Sequence, residues 1–179
     1  IGNDWNRSYT INGNIDLSVG KGTIGVYAPN AEAINKANIT VGRTDDIDPT
    51  TGQVYTDRNK IIYAIGMATA DRGKIYNEGN IILTGNKSLG MYGDGEGTVV
   101  ENSAGGKIIL KPGATATATD KITNMTGVLV NNGATFINKG DITTDINYSY
   151  NPNVSGLIGV AILNGSKLEN HGNITIDAD

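Results

Sequence analysis

The sequence predicts an all-β fold: a right-handed, single-stranded parallel β-helix of about six rungs, with lateral loop insertions. The first observation is a recurring motif, in which an apolar residue, a spacer and an asparagine precede a Gly/Asn-rich turn and an Ile-x-apolar strand. The second is an apolar-Gly-apolar motif between successive copies. The third is spacing, since each motif glycine precedes the next motif asparagine by 10 to 12 residues while the other half of the repeat varies. Solenoids show this pattern because coils must stack while extra residues leave at one corner.

Apolar residues alternate around each motif asparagine, which is the period of a β-strand and not of a helix. The expected interior positions are Ala33, Ile75, Val100, Phe136 and Leu168 two residues before the asparagine, Ile39, Ile81, Ile108, Ile142 and Ile174 at the start of the next strand, and then Val41, Leu83, Leu110 and Ile176, with Thr144 as the exception. The shortest coil has 25 residues, which suits three short strands and three turns.

The motif asparagines are predicted to have a structural role. Asparagine tolerates a left-handed backbone at turns, and its amide can hydrogen-bond the equivalent amide of the rungs above and below. A ligand site would not need the same residue in every rung. The predicted ladder consists of Asn35, Asn77, Asn102, Asn138 and Asn170.

Composition excludes several classes of function. The 179 residues contain no cysteine, which removes disulfide frameworks and thiol nucleophiles. A net charge of −4 and a pI near 4.9 argue against nucleic acid as a partner. No apolar run approaches 18 residues, so we expect no direct membrane insertion by this segment. Residues 1–179 are expected to form a single β-helix segment excised from a longer chain.

The repeats resemble those of a known family. The pattern N-x-G-N-I-x-[LVI], followed by S-L-G-M-Y or I-G-V-Y, is similar to the passenger repeats of type V autotransporters, and of these most to the large fusobacterial outer-membrane adhesins. The resemblance covers nearly the whole chain. It implies a virulence-associated rod that is secreted through the outer membrane and exposed at the cell surface, where it would present binding surfaces. It carries over no catalytic residue.

The chain offers little for chemistry. His171 is the sole histidine and occupies a turn position that other residues fill in the other repeats, so we expect an exposed turn residue and no catalytic base. We predict no catalytic residue, no cofactor and no metal site. The acidic residues that come nearest to a calcium-loop pattern are Asp46, Asp48 and Asp57, although Pro49 interrupts it.

Three insertions, at 42–60, 111–123 and 144–153, occupy the same position in the repeat, so we expect them to project from one side of the rod. The first two flank the short third rung and should leave a recess between them. Loops on a rigid scaffold commonly carry binding residues, and tyrosine supplies contact area with a hydrogen-bonding tip. The predicted ligand-binding residues are Asp45, Asp48, Tyr55, Arg58, Asp120, Asn147, Tyr148, Tyr150 and Asn151.

We predict a non-catalytic cell-surface adhesin segment whose loops bind a receptor on host or partner bacterial cells, either protein or glycan. Two alternatives remain open. One is a polysaccharide-active β-helix enzyme, a lyase or hydrolase, which would need carboxylates and a basic residue converging across neighbouring rungs. The other is a purely structural spacer of the passenger, with the binding site elsewhere in the chain.

Overall fold

The computed structural model describes residues 7–112 and 116–177, and within them the chain forms a parallel β-helix. Each rung contributes up to three main strands. The first three rungs are β1 (Ser8–Ile11), β2 (Ile15–Lys21), β3 (Ile24–Tyr27); β4 (Glu32–Asn35), β5 (Asn38–Arg43), β6 (Ile65–Ala70); and β7 (Lys74–Asn77), β8 (Asn80–Leu83), β9 (Leu89–Asp94). The last three are β10 (Val99–Asn102), β11 (Lys107–Leu110), β12 (Ile122–Thr123), β13 (Thr126–Asn131); β14 (Thr135–Asn138), β15 (Asp141–Thr144), β16 (Val154–Ser155), β17 (Ile158–Ile162); and β18 (Lys167–Asn170), β19 (Asn173–Thr175).

Equivalent strands of successive rungs pair in parallel and form three long sheets. The first sheet is β1-β4-β7-β10-β14-β18, the second is β2-β5-β8-β11-β15-β19, and the third is β3-β6-β9-β13-β17. The described residues contain no α-helix, and their one helical turn is a 3₁₀ turn at Arg58–Lys60. The predicted fold class and the count of about six rungs are confirmed.

The interior follows the predicted alternation of side chains. Ile39, Ile81, Ile108 and Ile142 stack in register along the second sheet and are fully buried. In the last rung the equivalent Ile174 is 37% exposed, because no further described rung covers it. Burial of such β-branched columns supplies most of the hydrophobic stabilisation, at roughly 25 cal/mol per Å² of apolar area.

Thr144, the polar residue in an apolar column, is also buried. Its hydroxyl oxygen accepts a hydrogen bond from the backbone N–H of Asp177 at 2.8 Å. A buried hydroxyl costs little when it has a partner, so the column tolerates this break in the pattern.

The asparagine ladder runs without interruption through five rungs. Each amide Nδ2 donates to the Oδ1 of the next asparagine, over distances of 2.8 to 3.0 Å, in the order Asn35, Asn77, Asn102, Asn138 and Asn170. The first four of these residues are fully buried. Asn77 Nδ2 also donates to the backbone oxygen of Lys107, which links the ladder to the start of the second-sheet strand in the next rung.

The expectation of a left-handed backbone at the ladder asparagines is wrong. These residues end the strands of the first sheet, and none is among the residues with positive φ. The left-handed asparagines are instead Asn30, Asn132 and Asn164, which lie where the third sheet turns into the next rung, and Asn124, which lies in the second insertion. A turn between strands needs the left-handed conformation there, whereas the ladder position needs only an inward amide.

The apolar-Gly-apolar motif marks a column of close backbone approach in the third sheet. A Cβ on Gly66 would lie 2.7 Å from the carbonyl oxygen of Gly90 and 2.9 Å from the Ile81 Cγ2 methyl. The same approach to the next glycine's carbonyl oxygen recurs at Gly25, Gly90 and Gly127, whereas at Gly159 only side chains lie this close, with the Ile174 Cγ2 methyl at 2.8 Å. The column therefore exists because the interior isoleucines of the second sheet fill the space that a side chain would need.

We predict that Asn102→Ala lowers the free energy of unfolding by about 2–4 kcal/mol, because it leaves buried groups of Asn77 and Asn138 without partners. Asn80→Ala, which removes only the exposed bond to Asn38, is the matched control and should cost less than about 0.5 kcal/mol. Urea denaturation followed by circular dichroism measures both. Equal losses in the two variants would contradict a stabilising ladder.

We also predict that Gly66→Ala destabilises the chain by about 1–3 kcal/mol, because the new methyl group overpacks against backbone. Gly13→Ala is its control, since nothing lies within 4 Å of a Cβ at that position. Thermal unfolding of the two variants gives the comparison. An unchanged midpoint in Gly66→Ala would show that the glycine column is not sterically required.

Candidate functional site

All three insertions leave the β-helix at the same corner, between the second and the third sheet. This variable corner consists of residues 44–64 in the second rung, 111–125 in the fourth and 145–157 in the fifth, whereas the third rung needs only 84–88. Residues 113–115 of the second insertion lie outside the described residues. The register of the stacked strands places these segments on one side of the rod, as the repeat positions predicted.

The first insertion is a folded loop that is closed by hydrogen bonds within it. It closes through antiparallel bridges between Asp45 and Ile62 and between Ile47 and Val54. The Asp48 carboxylate accepts the backbone N–H of Thr50 at 2.8 Å, and this hydrogen bond holds the pKa of Asp48 below its usual value. These bonds give the loop a defined shape on top of the corner.

Two other predicted ligand residues lie at the end of this loop. Arg58 is exposed in the 3₁₀ turn, which Asp57 caps by accepting the N–H of Asn59 at 3.0 Å. Tyr55 is half-buried, with Lys60 Nζ 5.8 Å from its ring centroid. Asp48, Tyr55 and Lys60 line a shallow depression of about 170 Å³.

The calcium pattern is not realised. Asp48 and Asp57 are occupied by the backbone N–H groups of their own turns, and Asp46 points into the protein. No group of three acidic, histidine or cysteine side chains in the described parts of the chain could hold a metal ion. Sequence spacing suggested the set, but the fold gives each carboxylate a different partner.

Asp46 instead anchors the first insertion to the third rung. Its side chain is buried, and its Oδ2 lies 2.6 Å from Lys87 Nζ, which comes from the short corner below. Arg43 Nη2 lies 4.0 Å from the other oxygen, Oδ1, which has no hydrogen bond among the described residues. A carboxylate this buried requires a close counter-charge, so Lys87 is necessary to the corner.

The second and third insertions form one unit. Their short strands β12 and β16 pair in parallel, with Ile122 opposite Val154. Asn151 Nδ2 donates to the backbone oxygen of Ala116 at 3.3 Å, which adds a second link between the two loops. Stacking of insertions in adjacent rungs extends the β-helix sideways and gives the loops a rigid base.

The predicted recess at the third rung exists and is partly closed by an ion pair. It has a volume of about 160 Å³, and Thr84, Gly85 and Asn86 of the short corner line it. Arg43 Nη1 lies 3.2 Å from Asp120 Oδ1 and so links the second rung to the second insertion over this recess. Asp120 is therefore part of a bridge between the end of β5 and the second insertion, and its side chain remains half exposed.

The third insertion holds the larger depression of the corner, with a volume of about 410 Å³. It gathers four of the predicted ligand residues together with four residues that the sequence reasoning did not assign to a ligand site. The lining residues are Lys111, Asp145, Asn147, Tyr148, Ser149, Tyr150, Asn151 and Pro152. Lys111 begins the second insertion and Asp145 begins the third, and only the stacking of the fourth and fifth rungs brings Lys111 Nζ within 3.3 Å of Asp145 Oδ2.

A second surface was missed in the sequence. The outer face of the third sheet carries an apolar depression of about 320 Å³, which Tyr63, Ile65, Leu89, Tyr92 and Leu129 line. Burial in this patch raises the pKa of the Tyr92 hydroxyl. The signal was the apolar residue directly before the motif glycine, as in Ile65 and Leu89, and the one two positions after it, as in Tyr92 and Leu129.

His171 is exposed, 3.9 Å from the carboxylate of Glu169, as expected for a turn residue. Among the described residues no helix is long and apolar enough to cross a membrane.

Comparison with known proteins gives one match. The family model described as the BigA third pectate lyase-like domain matches residues 3–141 of the chain. Searches of curated proteins and of solved structures find no match.

We predict that Lys87→Met lowers the free energy of unfolding by about 3 kcal/mol, because it leaves the Asp46 carboxylate buried without its counter-charge. Lys36→Met is the control, since Lys36 pairs with Glu78 at 3.5 Å on the surface and should contribute less than about 1 kcal/mol. Adding Asp46→Asn to Lys87→Met should recover roughly half of the loss, since no buried charge remains. Chemical denaturation tests all three, and no recovery in the double variant would contradict the assignment.

Proposed function

We propose that this chain, which belongs to the family of the BigA third pectate lyase-like domain, is a non-catalytic adhesin segment of an autotransporter passenger. Membership of the family makes it a β-helical domain of a surface protein. Its repeats resemble those of the large fusobacterial adhesins, which supports type V secretion through the outer membrane. Its partner in this proposal is a receptor on a host or a neighbouring bacterial cell.

One observation carries the proposal: every long insertion among the described residues leaves at a single corner of a rigid rod, whereas connections at the other two corners have two to four residues. A purely structural rod needs only the five-residue connection of the third rung, residues 84–88. Three rungs instead build folded loops at that corner, and two of these loops share a parallel strand pair. A stiff scaffold with loops on one side is the arrangement that many binding proteins use.

The distribution of charged groups at the corner favours binding over catalysis. A lyase or hydrolase needs carboxylates and a base that converge and remain available to a substrate. Here three of the acidic groups have basic partners: Asp46 pairs with Lys87, Asp120 with Arg43, and Asp145 with Lys111. Arg43 also lies 4.0 Å from the buried Asp46, so the arginine that these two carboxylates share is already occupied by them.

The test replaces insertions by the short connection of the third rung. The strand register equates Leu83 and Leu89 with Thr144 and Ile158, so residues 145–157 can be exchanged for residues 84–88 without a change of register. The same register allows residues 42–64 to be exchanged for 84–88. We predict that both grafted chains keep the β-sheet circular dichroism spectrum, because the grafts keep every strand of the three long sheets except Gly42 and Arg43 at the end of β5.

Beads coated with the parent chain should attach to mammalian epithelial cells or to bacterial cells. Beads coated with the chain in which residues 84–88 replace the third insertion, residues 145–157, should lose most of that attachment. Beads coated with Gly13→Ala protein serve as a control for coating and folding. Attachment of a doubly grafted chain at the parental level would refute the loop proposal and favour the spacer. Release of reducing ends or unsaturated sugars from pectin or glucan would refute the non-catalytic assignment.

A further inference from the structure

The depression of the third insertion has features that specify the chemistry of a ligand. Its volume of about 410 Å³ lies within the range of small-molecule sites, which span roughly 300–1,000 Å³. Its lining combines aromatic, amide and hydroxyl side chains with one lysine and one aspartate. The identity of the ligand follows from which of these groups the loop already uses and which remain available.

Some of the polar groups are used to hold the loop in shape. Asp145 Oδ1 accepts the backbone N–H of Asn147 at 3.0 Å, and the N–H of Tyr148 bonds the Asp145 carbonyl at 2.8 Å. Asn151 Oδ1 accepts the N–H of Asn153 at 2.9 Å, while its Nδ2 binds Ala116 of the neighbouring insertion. The depression is therefore preorganised by its own hydrogen bonds, which lowers the entropy cost of binding.

The charges of the depression cancel. Lys111 Nζ lies 3.3 Å from Asp145 Oδ2. The hydrogen bond from the Asn147 backbone, and in addition Lys111, hold the pKa of Asp145 below its usual value, so the carboxylate is ionised at neutral pH. A paired lysine and aspartate leave no net charge to attract an anion or a cation.

The remaining groups are unused. Among the described residues, the side-chain hydroxyls of Tyr148, Ser149 and Tyr150 and the Oδ1 of Asn147 make no hydrogen bond within the protein. Tyr150 is 69% exposed, so both its ring and its hydroxyl reach solvent. Three hydroxyls that both donate and accept, an amide acceptor and two aromatic rings thus surround one depression.

We propose that this depression binds a neutral saccharide, with the tyrosine rings packing on the apolar face of a sugar ring and the free hydroxyls and amide bonding its hydroxyl groups. Aromatic side chains offer a flat apolar body beside a polar tip, which matches a sugar ring. A peptide ligand would require a deeper apolar pocket for an anchoring side chain, and the lining here is divided between polar and apolar groups. This inference rests on the proposed function, since it names the ligand class of the same corner.

The probes are the methyl glycosides of glucose, galactose, mannose, fucose and N-acetylglucosamine, with glucuronate and glucosamine as charged counterparts. Saturation-transfer difference NMR on the full chain should detect at least one neutral glycoside and weaker signals from both charged sugars. Tyr150→Ala should weaken the neutral contact about tenfold by removing ring and hydroxyl, and Tyr150→Phe about threefold by removing the hydroxyl.

Tyr9→Ala is the matched control, because Tyr9 is 52% exposed on the first sheet, away from the variable corner, and its removal should change nothing. A parent chain that gives no signal with any neutral glycoside would overturn the inference. So would signals that persist in Tyr150→Ala, or a stronger response to glucuronate or glucosamine.

The bead attachment assay separates this inference from the proposed function. Attachment that depends on the third insertion but survives periodate oxidation of the target cells would overturn the saccharide inference and leave the adhesin proposal standing. Sugar binding lost in Tyr150→Ala, without any attachment of the parent chain to cells, would support the saccharide site and overturn the adhesin proposal.

Discussion

The in-register stacking of rungs is the constraint on which the rest of this structure depends, and the buried asparagine ladder enforces it. An amide that donates to the amide of the next rung must be at the same position in every coil, because a shift by one residue would leave buried donors and acceptors unpaired. Apolar columns alone tolerate small shifts, since dispersion and burial are not directional. The ladder adds directional hydrogen bonds to a core whose register would otherwise depend on the shape of its side chains alone.

The same constraint decides where the chain can vary. The turns that follow the ladder asparagines are held to the next rung by side-chain hydrogen bonds. Asn77 and Asn102 also donate to the backbone oxygens of Lys107 and Asp141 in the following rungs. The third sheet is locked by glycines, whose carbonyls lie where a side chain would have to be. The connection between the second and third sheets carries no ladder asparagine, and the three insertions lie there on one side of the rod.

Electrostatics at this corner holds the loops in place. Pairs between charged groups of different rungs, such as Asp46 with Lys87 and Arg43 with Asp120, link the insertions to the corner beneath them. The buried pair must be satisfied for the loop to remain folded, whereas the more exposed pair contributes less. The hydroxyls and aromatic rings of the third insertion take no part in these interactions. The proposed binding of a saccharide depends on these groups.

The sequence by itself determined the fold class, the rung count, the identity of the ladder and the corner at which the insertions lie. It could do so because these features repeat: period-2 apolar positions, a constant spacing and an asparagine in each copy are local patterns that stacking multiplies. The role of the motif glycines and the backbone conformation of the ladder asparagines were not readable, since both depend on the distance to a neighbouring rung. Only the tertiary structure decided the partners of the charged residues. Lys87 meets Asp46, and Lys111 meets Asp145, across intervals of 41 and 34 residues, because adjacent rungs lie side by side whatever their separation in the chain. The lining of the candidate site follows from that stacking and not from any local pattern.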